Sequence, residues 1–262
     1  MMCQECGCED ETRIASIDDG KSRVIPVNKS VMQANDVMAH EIEHYMKDKK
    51  IFCINVEGSP GSGKTSVIEG LARFIEPSSI AVIQGDLESD VDKVRLEKAG
   101  IYTYQINTHS GCHLNAMMIN RALLEMKLEN KRFLLIENVG NLVCPAGVKI
   151  GQAMNIVVSS VTEGSDKPKK YPYIFMDANL VIISKYDLAK MVDFDEPGYL
   201  EDIKNINSHT PVIRVSTKDS NSFMEVAHFI EHKREHFLGV EHSHDHEQSH
   251  DDAHEEENGH HH

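Results

Sequence analysis

Gly58-Ser59-Pro60-Gly61-Ser62-Gly63-Lys64-Thr65 reads G-x-x-x-x-G-K-[ST], the phosphate-binding P-loop. Before it runs the apolar, β-branched segment Ile51-Phe52-Cys53-Ile54-Asn55-Val56, and after it Thr65 to Phe74 carries apolar residues at helical spacing. The motif therefore falls between a buried strand and the start of a helix, where backbone N–H groups converge on an anion. In that setting Gly58, Ser59, Gly61, Ser62, Gly63 and Ser66 line a bound nucleotide. Lys64 reaches the β- and γ-phosphates, and Thr65 offers its hydroxyl to Mg²⁺.

Outward from this motif, apolar and helical segments alternate. Strands are expected at 51–57, 79–84, 101–106, 132–138, 154–161, 179–184 and 211–215, and helices at 64–75, 89–99, 114–130, 199–206 and 220–236. Such alternation gives an α/β fold with a mostly parallel sheet flanked by helices, the architecture of P-loop NTPases. Val31, Met32, Val37, Met38, Ile42, Tyr45 and Met46 recur at helical spacing, so 29–48 reads as a further helix on the edge of the domain. The chain of 262 residues then divides into a flexible N-terminal tail (1–27), the nucleotide-binding domain (28–238) and a disordered His/Asp/Glu-rich tail (239–262).

A formal net charge of −15 disfavours a nucleic-acid partner. Part of that acidity is local, because residues 241–262 hold eight carboxylates, eight histidines and no Lys or Arg. No apolar run approaches the roughly 20 residues of a membrane span, and no signal peptide precedes the polar start, which predicts a cytoplasmic protein. In a reducing compartment the six cysteines argue for metal binding or catalysis rather than disulfides.

Four patches bear on which nucleotide binds. Asp86 ends the second strand, where a carboxylate can hold Mg²⁺; Asp90 and Asp92 lie nearby and rank below it. Phe133-Leu134-Leu135-Ile136-Glu137-Asn138-Val139-Gly140 is an apolar strand ending in an acid and a glycine, the Walker B position, with Gly140 able to swing a loop with the γ-phosphate. Lys64, Asp86 and Glu137 are thus the expected catalytic set. Ser184-Lys185-Tyr186-Asp187 resembles the guanine-reading N-K-x-D. Asp187 would accept from guanine N1–H and the 2-amino group, while the stem of Lys185 lies on the base. Ser216-Thr217-Lys218 follows the last strand and resembles the loop that backs guanine, a weak signal on its own.

Cys3-Gln4-Glu5-Cys6-Gly7-Cys8 packs three thiols into six residues, a pattern for a soft ion such as Zn²⁺, Ni²⁺ or Cu(I). Cys112-His113 and Cys144-Pro145 lie on loops that, in a parallel sheet, open at the same edge as the P-loop. Adjacent ligands rarely close a compact site within one chain, so two protomers pairing these loops across a two-fold axis offer a solution; buried small hydrophobes and a capping His113 are the plain alternative. The C-terminal histidines are a third candidate for Ni²⁺ or Zn²⁺. His40 and His44, spaced i, i+4, read as an exposed helical face, and Cys53 reads as packed core.

The segments Glu57 to Thr65, Gly85-Asp86-Leu87, Cys112-His113-Leu114, Glu137 to Pro145 and Glu163 to Pro172, with the amino-terminal C-x-x-C-G-C, resemble the HypB family. These are the GTPases that assist nickel insertion into [NiFe] hydrogenase. The resemblance implies a dimerising, SIMIBI-like GTPase with a slow, Mg²⁺-dependent conversion of GTP to GDP. It implies that Cys112, His113 and Cys144 form a nucleotide-coupled nickel/zinc site, and that Cys3, Cys6 and Cys8 form a nickel site. It also implies a homodimer formed on GTP or metal binding. Its partners would be a HypA-type metallochaperone and the hydrogenase large-subunit precursor. Two departures stand out: Met2 separates the initiator from Cys3, and Ser184 replaces the common Asn. Three alternatives remain: a nickel chaperone GTPase for urease, a nickel storage protein with a vestigial nucleotide site, and an ATP-dependent kinase.

Overall fold

In the computed structural model, residues 30–86, 91–108 and 111–240 are described. Seven strands form one sheet: β1 (Phe52–Gly58), β2 (Ile80–Asp86), β3 (Tyr102–Asn107), β4 (Phe133–Glu137), β5 (Met154–Ser160), β6 (Leu180–Ser184) and β7 (Val212–Arg214). Their spatial order is β3-β2-β4-β1-β5-β6-β7. Every pairing is parallel, from Phe52 opposite Phe133 to Ile182 opposite Ile213. Parallel pairing sends every strand-to-loop exit to one edge, so the P-loop after β1 and the loops after β2, β3 and β4 share that edge. β1 is central, with β4, β2 and β3 on one side and β5, β6 and β7 on the other, so the chain crosses over β1 between β4 and β5 and its carboxyl end lies at the switch point of the sheet.

Eight helices are described: α1 (Ser30–Asp48), α2 (Lys64–Leu71), α3 (Val91–Lys98), α4 (Ala116–Glu125), α5 (Lys167–Lys170), α6 (Pro172–Met176), α7 (Glu196–Ile206) and α8 (Ser222–Phe237). Alternation along the strands divides the core between two layers. Phe52, Ile54 and Val56 of β1 face Val67, Ile68 and Leu71 of α2 and Phe223, Val226 and Ile230 of α8. Cys53, Ala81, Ile83, Leu134 and Ile136 face the other way, toward Ala39, Ile42 and Met46 of α1 and Ile119 and Ala122 of α4. Val157, Val181 and Ile183 complete that layer against Phe175 of α6 and Tyr199 of α7. Burying the Val, Leu, Ile, Phe and Met side chains of these layers contributes about 1.5–3 kcal/mol each, which holds the loop-bearing edge on a rigid base.

Several boundaries differ from the sequence expectation. The helix expected over 114–130 spans only Ala116–Glu125: Asn115 caps its start by accepting from Met118 N, and the chain turns extended at Met126. α7 begins earlier than expected, at Glu196, because Asp195 accepts from Gly198 N and Pro197 occupies the first turn. α2 stops at Leu71 rather than 75. The short α5 and α6, each with proline in its first turn, were not anticipated. Among the described residues no helix is long and apolar enough to cross a membrane.

Candidate nucleotide and metal site

The P-loop leaves β1 and turns into α2 through Gly63, whose φ of 98° is left-handed and suits a residue without a Cβ. Lys64 is folded back over the loop, donating from Nζ to Gly58 O at 3.2 Å and Ser59 O at 3.1 Å. Thr65 Oγ1 donates to Glu137 Oε1 at 2.7 Å, and Gln84 Nε2 donates to Glu137 Oε2 at 3.0 Å. Strands β1, β2 and β4 thus bring Lys64, Thr65, Gln84 and Glu137 to one point. Burial pushes the Glu137 carboxyl above its ordinary range, opposed by the Thr65 hydroxyl, the Lys64 charge and Gln84. Asp86 ends β2 at the same edge, and Asp92 lies close enough to raise Glu137 further. Asp90 lies outside the described residues. Ser66 Oγ accepts from Arg95 of α3 at 3.0 Å, and Arg95 also pairs with Glu69.

Two polar atoms here are buried without a hydrogen-bond partner: Ser62 Oγ in the P-loop and Gln84 Oε1 beside Glu137. The orphaned hydroxyl can donate to a phosphate oxygen, and the orphaned amide oxygen can accept from a water of a hydrated Mg²⁺.

The expected base-reading residues gather at the same edge. Lys185, with φ 53°, projects Nζ to Gly61 O at 2.8 Å. Asp187 lies in a 3₁₀ turn and accepts from the Ser216 hydroxyl, whose oxygen in turn accepts from Lys218 N at 3.0 Å. Ser184, where Asn is common, donates its hydroxyl to Ser62 O and so braces the P-loop from β6.

The loops carrying the expected metal ligands hang on this machinery. Asn141 N donates to Gly58 O at 3.1 Å, and the pair forms an antiparallel bridge. Asn141 Oδ1 accepts from Val143 N at 2.7 Å and Cys144 N at 3.2 Å. At Gly140 an added Cβ would lie 2.8 Å from the backbone nitrogen of Pro60, so the segment touches the P-loop directly. Asn138 Oδ1 accepts from Leu114 N at 3.0 Å, joining the Cys112-His113 loop to the end of β4. Asn138 Nδ2 continues to Asn55 Oδ1 and Asn55 Nδ2 to Asn155 Oδ1, each at 3.2 Å, a chain of amides across the sheet.

Cys112 Sγ and His113 Nδ1 are 3.5 Å apart and half-buried, and burial holds the His113 imidazole below its ordinary pKa. Among the described residues no group of three or more His, Cys, Asp or Glu side chains is arranged to hold a metal within the single chain. Cys3, Cys6, Cys8 and the C-terminal histidines lie outside the described residues. Cys53 is buried, with its thiol pushed up to about 12, in keeping with a core role. His40 and His44 are exposed on α1 with ring centroids 4.4 Å apart. Glu57 was not singled out from the sequence. It is 3% exposed at the end of β1, and burial pushes its carboxyl up to about 8, with Asp177 adding to the rise.

The family described as CobW/HypB/UreG, nucleotide-binding domain, matches residues 52–214. The "Hydrogenase/urease maturation factor HypB" of Helicobacter pylori is 41% identical over 219 residues, covering 81% of this chain and 90% of that protein. The chain belongs to the HypB family. The "Hydrogenase maturation factor HypB" of Azotobacter vinelandii is 39% identical over 218 residues, covering 82% of this chain and 71% of the relative. HypB from Helicobacter pylori, solved in complex with nickel, aligns with a TM-score of 0.76 at 40% identity over 80% of this chain and 99% of that structure. HypB membership makes the P-loop edge a nucleotide-binding domain by family as well as by motif.

Proposed function

We propose that this chain is a GTP-hydrolysing, nickel-binding accessory protein that delivers nickel during [NiFe] hydrogenase maturation. The observation that carries this reading is the attachment of the Cys144 loop to the P-loop through Gly140 against Pro60 and Asn141 on Gly58. A residue expected to bind metal lies three positions from a backbone bond to the phosphate loop, so a nucleotide that moves one moves the other.

Lys64 exchanges its carbonyl partners for β- and γ-phosphate oxygens. Ser62 Oγ and the N–H groups entering α2 cradle the phosphates. Thr65 and Asp86 would hold Mg²⁺, which when bound neutralises charge on the transferring phosphoryl group. Glu137 gives up the Thr65 hydroxyl and, with Gly140, senses the γ-phosphate. Asp187 and Lys185 select guanine, backed by Ser216 and Lys218. Hydrolysis is slow until a partner supplies a cation to the transferring phosphoryl group.

Nickel or zinc is held by Cys112, His113 and Cys144 of two protomers, with a second nickel site at Cys3, Cys6 and Cys8. GTP favours the homodimer, and by linkage metal and nucleotide alter each other's affinity by the same factor. Release passes nickel to a HypA-type metallochaperone and the hydrogenase large-subunit precursor. Serving urease is a second reading, supported by the double name of the Helicobacter relative.

The test is a nickel and zinc titration of the GDP and GTP-analogue forms with oligomer size read in parallel. Affinity and size should both change with the nucleotide. Identical titrations and an unchanged size would overturn the coupling.

A further inference from the structure

A different pair of residues lies on the opposite edge of the molecule. In α8 the sequence His232-Lys233-Arg234-Glu235-His236 places two imidazoles one turn apart on the same face. Both side chains are exposed. Their rings are T-shaped, with centroids 4.5 Å apart, and the two Nε2 atoms share a hydrogen bond at 3.2 Å, whose single proton an entering ion would replace. Metal–imidazole bonds are about 2.0–2.1 Å long. Two such bonds at a right angle put the nitrogens about 2.9 Å apart, and at a tetrahedral angle about 3.4 Å apart. The observed separation falls between these values, so an ion can enter without moving the backbone.

The surroundings hold this end of the helix in place. Arg234, between the two histidines, donates from Nη2 to Lys50 O at 3.2 Å and from Nε to Arg132 O at 3.3 Å. Lys50 and Arg132 precede β1 and β4, so this half of α8 is anchored at the amino edge of the sheet, away from the P-loop. Phe237 packs on Phe52 with ring centroids 5.3 Å apart. The H-x-x-x-H spacing is the one that lets a helix chelate zinc. Here Lys233 stands where the zinc peptidases carry their general-base Glu, so the chemistry is binding without hydrolysis.

We infer that His232 and His236 form a second-edge chelate for a divalent transition-metal ion, Ni²⁺ or Zn²⁺, that operates independently of the nucleotide. Imidazole suits both ions. Two protein ligands leave the remaining positions to water or to an incoming ligand, so the ion exchanges readily. The inference does not rest on the proposed GTPase cycle, and either can fail alone.

The experiment is hydrogen exchange of α8 amides in the full chain with Ni²⁺, in the GDP form. The native protein is compared with His232→Ala and His236→Ala. Ni²⁺ that binds the closed helix and not the open one, at ten times its Kd, should slow exchange over 232–238 about elevenfold. Each variant should lose that slowing, and replacing GDP by a GTP analogue should leave it unchanged. Metal taken up by residues 241–262 is common to all three proteins and cancels in the comparison. Both substitutions are at exposed positions, so the fold is retained. No slowing in the native chain, or slowing that persists in either variant, overturns the inference.

Discussion

At the scale of single residues, Lys64 and Asp187 occupy opposite ends of the proposed GTP site, and their chemistry is separable. Lys64→Ala removes the side-chain cation that bonds to the Gly58 and Ser59 carbonyls of the P-loop. GTP turnover should fall by about 10²–10³-fold, while metal binding at Cys3, Cys6 and Cys8 stays intact. Steady-state phosphate release and a nickel titration check this together, and equal loss of both would contradict two separate sites. Asp187→Asn exchanges an acceptor for a mixed donor and acceptor, which suits xanthine rather than guanine. Guanine affinity should drop about a hundredfold, with two charge-assisted bonds impaired, and xanthine nucleotides should then compete better. Retained guanine preference in a competition assay would remove Asp187 from base recognition. Ser184 shows how a departure from a motif acquires a role: its hydroxyl spans from β6 to Ser62 O, which ties β6 to the phosphate loop.

Elements would carry the proposed coupling. The segment after β4 rests on the P-loop because Gly140 leaves no Cβ to hold it off. Gly140→Ala should drive it away from Pro60, at an overpacking cost of about 1–3 kcal/mol. Couplings between sites are commonly 5–150-fold, and in this variant the ratio of nickel affinities in the GTP-analogue and GDP forms should collapse toward one. Titrations in both forms measure it, and a ratio unchanged from the native protein would show that Gly140 transmits nothing. The sequence made much of this legible. The P-loop, the Walker B strand and the seven strands could be read because runs rich in apolar and β-branched residues end at a glycine or a polar residue, from Gly58 and Asp86 to Ser184 and Arg214. The amide chain from Leu114 N through Asn138 and Asn55 to Asn155 could not be read, since its links join residues 24, 83 and 100 positions apart through sheet order. Gln84 was invisible for the same reason: only the pairing of β2 with β4 sets it opposite Glu137. The end of α4 was misplaced because Lys127 to Lys131 has good helix formers, yet the chain turns there with Asn130 at φ 63°.

For the molecule as a whole, Glu57 connects the site to stability. Its folded-state carboxyl is raised to about 8 from 4.5 by burial, and it lines a cleft with His40, Glu43, Lys149 and Asp177. Between those two values the folded chain binds a proton that the unfolded chain does not. This contribution to stability is therefore complete below about pH 4.5 and is lost as pH rises toward 8, at about 1.4 kcal/mol per unit. Glu57→Gln keeps the shape and removes the titration. The variant should gain stability relative to the native chain as pH goes from 5 to 8, read from denaturant midpoints at each pH. Parallel profiles for the two proteins would show that Glu57 does not titrate there.

The central place of β1 also has a consequence for how the protein is made. Phe52 to Val56 leaves the ribosome early, but its partner in β4 follows roughly 80 residues later, about 4–16 s at ordinary elongation rates. During that interval a strand that is buried along its whole length in the folded chain has no neighbour on either side. Nascent chains halted before residue 133 should therefore be clients of ribosome-associated chaperones, and chains extended past β5 should be released from them.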